Sequence, residues 1–106
     1  MLPITTDKIA EVIILARELN RAEVEFDGFV NQLTPSEQAG LVAVFWIGRG
    51  SFEPEDLKEA LRTAIEEATT PTSEYLKGSP HLANHLESGL EALGIDPTDA
   101  QDDLLR

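Results

Sequence analysis

Cysteine is missing from this chain. Its absence excludes disulfides and thiolate-held metals, and it suits a reducing compartment such as the cytoplasm. Basic side chains are scarce, with eight Lys and Arg against twenty Asp and Glu, for a formal net charge of −12. Lys8, Arg17, Arg21, Arg49, Lys58, Arg62, Lys77 and Arg106 are scattered along the chain. They form no basic patch for a phosphate backbone or an anionic lipid, so neither nucleic acid nor a membrane is an expected partner. The opening Met1-Leu2-Pro3-Ile4-Thr5 lacks a charged n-region and a long apolar h-region, and no signal peptide is expected there. Long apolar runs are absent too. Leu41 to Ile47 carries no polar side chain, yet spanning a bilayer takes about 20 apolar residues. Aromatic residues are few, with one Trp and one Tyr.

What is present is organised around Thr34 to Gly50. The run Leu41-Val42-Ala43-Val44-Phe45-Trp46-Ile47 could be a buried strand or a buried helix on periodicity alone. Its entry decides for helix. Thr34 is a capping residue, Pro35 fits the first helical position, and Glu37 is placed to bond back to the cap amide. Gly48 and Gly50 supply the positive φ that ends a helix without strain. A helix apolar on every side belongs at the centre of a bundle.

Around it the chain reads as further helices. Thr5 or Thr6 caps a first one, with Asp7 in its first turn and Ile9, Val12, Ile13, Ala16 and Leu19 as its stripe. Ile14 and Leu15 fall off that stripe and need either another part of the chain or a second copy to cover them. From Asn20 to Leu33 the pattern supports only a short helical turn through Phe26, Phe29, Val30 and Leu33, with a bend at Asp27-Gly28. Pro54 opens the cleanest amphipathic pattern, Leu57, Ala60, Leu61, Ala64, Ile65 and Ala68. A short helix from Pro71 to Lys77 turns Tyr75 and Leu76 inward. Ser79-Pro80 then serves as cap and first position of a last helix striped by Leu82, Leu86, Gly89, Leu90 and Leu93, with Gly94 and Ile95 as a Schellman ending. Pro35, Pro54, Pro71, Pro80 and Pro97 all sit where a helix would begin. The expected fold is an all-α compact bundle of about four main helices with short extra helical turns. Residues 1–95 form its single domain, and 96–106 are an acidic, frayed tail.

Four blocks carry a resemblance: Glu37-Gln38-Ala39-Gly40-Leu41-Val42-Ala43, Trp46-Ile47-Gly48-Arg49-Gly50, Tyr75-Leu76-Lys77-Gly78-Ser79-Pro80 and Leu86-Glu87-Ser88-Gly89-Leu90-Glu91-Ala92-Leu93-Gly94. Together they resemble a bacterial family catalogued as domain of unknown function 3775. The resemblance implies a small cytoplasmic bacterial protein and brings no established activity.

The chemistry-bearing residues are sparse. Gly48-Arg49-Gly50 could receive an anion on its amides and guanidinium, but a helix C-terminus is the wrong pole for one. A C-cap, with Arg49 paired to a local acid, fits better. His81 and His85 have the i,i+4 spacing that can share a metal, yet a third ligand is not evident, so neither a metal nor a cofactor is expected. There is no Cys nucleophile, no Gly-x-Ser-x-Gly elbow and no carboxylate that stands out as a general acid. Two functional expectations follow. One is a non-catalytic interaction module that binds itself or another protein, with Ile14 and Leu15 at the interface and Val44 and Ile47 adding apolar surplus. The other is a small-molecule-binding protein or enzyme with a pocket near Trp46, Arg49 and Tyr75.

Overall fold

The centre of the fold is α3, Pro35–Arg49. Its start is a reciprocal capping box: the Thr34 hydroxyl accepts from the Glu37 amide at 3.1 Å, and the Glu37 carboxylate accepts from the Thr34 amide at 2.9 Å. Lys8 reaches across from the first helix to the same carboxylate. That contact, with the cap bond second, holds Glu37 below its ordinary value of 4.5. At the other end Gly50 adopts φ 89°. Ser51 N–H bonds to the Trp46 carbonyl at 2.9 Å and Gly50 N–H to that of Ile47 at 3.1 Å, a Schellman pairing. Ala39 to Phe45 and Ile47 are all buried.

The computed structural model describes residues 2–68 and 70–95; the expected acidic tail at 96–106 lies outside them. Among the described residues there are six α-helices and no strand: α1 Thr6–Arg17, α2 Leu19–Gln32, α3, α4 Leu57–Glu66, α5 Thr72–Lys77 and α6 Leu82–Ala92. A 3₁₀ turn, Pro54–Asp56, leads into α4. α3 packs on α6, α4 and α5, while α1 packs on α2 and α6, and α2 holds α5. The fold is an all-α bundle.

Four local expectations are corrected. The first concerns Gly48, which lies inside α3 and does not end it. A Cβ there would fall 1.7 Å from the His85 carbonyl oxygen, and one on Gly89 would fall 2.1 Å from that of Val44. The two glycines let the α3 and α6 backbones touch. Secondly, residues 20–32 form a full helix, kinked at Ala22 (φ −120°, ψ 27°), with no bend at Gly28. Phe26 and Val30 are its buried anchors. Thirdly, α6 begins at Leu82, not at Pro80, because His81 takes a left-handed backbone (φ 60°, ψ 34°) at the N-cap. Fourthly, the α4 stripe stops short of its full length: Ala60 and Ala64 are buried, but Ile65 is 61% exposed.

The Schellman ending of α6 matches expectation, with Gly94 at φ 79° and Ile95 N–H bonded to the Leu90 carbonyl at 2.8 Å. α5 is too short to stand alone, since isolated helices under about 12 residues are marginal in water. It is held from outside. Leu76 is fully buried, Ser73 Oγ donates to Asn31 Oδ1 at 3.3 Å, and Lys77 Nζ sits 2.9 Å from both Glu23 and Asp27. Those two carboxylates, Asp27 first, raise the Lys77 pKa above its ordinary value.

Candidate functional site

Three elements leave a groove between them of about 390 Å³. Pro35, Gln38, Ala39, Val42 and Trp46 form its first wall, one face of α3 at helical spacing. Ala64 and Ile65 of α4, with Glu67 and Ala68 just beyond it, form the second. Thr70, Thr72 and Tyr75 close the third side. The size is that of a small-ligand pocket, for which about 300–1,000 Å³ is usual.

Two sets of polar contacts shape this groove, one at each end. Trp46 Nε1 donates to Tyr75 Oη at 2.8 Å, so the only indole and the only phenol are locked together. Phe52 stacks on Trp46 with ring centroids 5.6 Å apart, and Tyr75 meets the Phe45 ring edge-on at 6.2 Å. At the opposite end Gln38 joins three helices. Its Nε2 donates to the carbonyls of Val30 (2.9 Å) and Leu33 (3.3 Å) at the end of α2, and its Oε1 accepts from Thr72 Oγ1 at 3.3 Å. Side-chain amides that satisfy terminal carbonyls remove the cost of leaving them unpaired.

Of the expected pocket residues, Trp46 and Tyr75 share the groove, whereas Arg49 is not among its lining residues. The Arg49 guanidinium lies 4.9 Å above the Phe45 ring, and its Nε donates to Ser51 Oγ at 3.0 Å. Among the described residues it forms no ion pair, so the expected local acid is replaced by an aromatic face and a hydroxyl. His85 packs on the same Phe45 at 5.6 Å, while His81 is exposed at the α6 cap. Among the described residues no group of three or more metal-ligating side chains comes together, and no helix is long and apolar enough to cross a membrane.

The expected interface residues fare differently from one another. Ile14 is 41% exposed, but Leu15 packs against the core and Val44 and Ile47 are buried within the single chain. Ten of the twelve lining residues are not expected at a pocket from the sequence, Gln38, Ile65 and Glu67 among them. Gln38 had a signal, a polar side chain on a face otherwise apolar. Ile65 has the spacing of a core residue, which hides its place on the groove wall. Glu67 had no signal at all, being one acid among twenty.

Fold and groove together define a small all-α protein with one face of its central helix left open beside an aromatic pair. The chain belongs to the family described as Protein of unknown function (DUF3775), which it matches over residues 23–95. That span runs from within α2 past the end of α6 and contains every lining residue of the groove. No curated protein and no solved structure matches the chain.

Proposed function

We propose that this protein is a non-catalytic binding module whose groove between α3, α4 and α5 takes a small, largely apolar ligand. One observation carries the reading: the apolar stripe of α4 continues past its own core onto the groove, leaving Ile65 61% exposed beside Trp46 and Ala39. An apolar side chain at that exposure on a concave wall gains by being covered. Among the described residues no His and no Arg lines the groove to serve acid–base or oxyanion chemistry, which favours binding over catalysis. The net charge of −12 argues against nucleic acid as the partner. The cysteine-free sequence supports a cytoplasmic location.

Trp46, the only tryptophan, reports on the groove directly. The neutral fluorophore N-phenyl-1-naphthylamine should quench Trp46 saturably by energy transfer. Ile65→Asp should weaken that binding about tenfold or more, by setting a charge against the apolar wall, with the circular dichroism spectrum unchanged. A linear, non-saturating response up to the solubility of the probe would remove the reading.

Self-association is the second reading. Its remaining support is Ile14, exposed in the middle of α1.

A further inference from the structure

Among the described residues, Glu67 is the one charged residue that lines the groove. Among the described residues no Lys, Arg or His pairs with it. Across the groove stand Trp46 and Tyr75, whose mutual hydrogen bond fixes both rings at the wall. One face of Trp46 is covered by Phe52, so the ring is held as a rigid platform and not as a mobile flap. Two aromatic residues and a carboxylate residue without an ion-pair partner, lining one mostly apolar recess, are the residue types that recognise an organic cation. The molecule as a whole adds to it, because a net charge of −12 concentrates cations and repels anions around every recess of its surface.

Building on the binding reading above, we infer that the ligand class of this groove is a small organic ammonium ion with an apolar body. The body covers Ile65 and the cation lies between the aromatic pair and Glu67. A groove that was only apolar would favour the opposite ligand. Moving a cation out of water carries a desolvation cost, so a neutral molecule of the same shape would bind more tightly there. The sign of the preference is therefore diagnostic.

Phenyltrimethylammonium and its neutral isostere tert-butylbenzene provide the comparison, each competed against N-phenyl-1-naphthylamine on the full chain. The cation should bind about tenfold more tightly than the isostere. Glu67→Gln should remove most of that preference by weakening binding of the cation, with the affinity of the neutral isostere as the reference in the same protein. Glu55→Gln makes the same change in net charge at the far end of α4, in the 3₁₀ turn, and should leave the preference intact. If both variants lower the preference equally, the general field of the protein is responsible and the assignment of Glu67 falls. If the isostere binds as well as the cation while the fluorophore still binds, the cation inference falls and the groove reading stands. If none of the three compounds binds saturably, both are overturned.

Discussion

At Gly48 and Gly89 a hydrogen atom stands where any other residue would drive a methyl group into a neighbouring carbonyl oxygen, at 1.7 and 2.1 Å respectively. Backbone atoms on both sides cannot yield by a rotamer change, so α3 and α6 would have to separate. Gly48→Ala and Gly89→Ala should each destabilise by about 2–3 kcal/mol or more, the upper range for overpacking. Gly28 is the internal control. It is also helical, but a Cβ there meets nothing within 4 Å. Gly28→Ala should raise stability by about 0.5–1 kcal/mol, by removing chain freedom from the unfolded state. Urea unfolding midpoints of the three variants test both signs. Equal effects at Gly28 and Gly48 would mean that the close approach of the two backbones is not what stabilises the pair.

Among the elements, α5 shows how much of this fold depends on tertiary contact. Six residues cannot hold a helix by themselves, yet this helix delivers Tyr75 to the groove and Leu76 to the core. Leu76→Ala should cost about 2–5 kcal/mol, the usual range for a fully buried leucine. The same change should loosen the Trp46–Tyr75 hydrogen bond and move the tryptophan emission to longer wavelength as water reaches the indole. Leu76→Met should keep most of both properties, since its volume is nearly the same. A Leu76→Ala protein with wild-type emission would show that Trp46 is positioned by α3 and Phe52 alone. The missed helix, α2, teaches the same lesson from the other side. Phe26, Phe29, Val30 and Leu33 carry helical spacing, but Gly28 and the mostly polar Asn20 to Glu25 conceal a helix that the packing of α1 and α5 sustains.

For the whole molecule the open question is whether one chain is enough. The apolar excess on the central helix invites a second copy, but Val44 and Ile47 are buried within the single chain, whose α3 packs on α6, α4 and α5. A groove between α3, α4 and α5 needs no partner subunit to be complete. Sedimentation equilibrium at high micromolar concentration should accordingly return the mass of a single chain. A dimer that Ile14→Glu dissociates, with helicity retained, would instead establish the self-association reading and place its contact on α1.

The helices that the sequence determined are those with local punctuation: the Thr34–Pro35–Glu37 capping box, the Gly94–Ile95 ending, and apolar stripes running i, i+3, i+4. These are read within a few residues, because capping and periodicity are short-range physics. Family membership was legible for a similar reason, in contiguous blocks. Tertiary structure alone decided the rest. Whether a glycine ends a helix or admits another backbone depends on what lies across from it, and Gly48 and Gly50, two residues apart, have opposite roles. Whether a stripe residue is buried or open depends on what packs across from it, and so of two neighbours on the groove wall Ala64 is buried while Ile65 is 61% exposed. The separation of Arg49 from Trp46 and Tyr75 has the same origin. Phe45 and Trp46 point to different sides of one helix, and Arg49, four residues after Phe45, follows it to the side away from the groove.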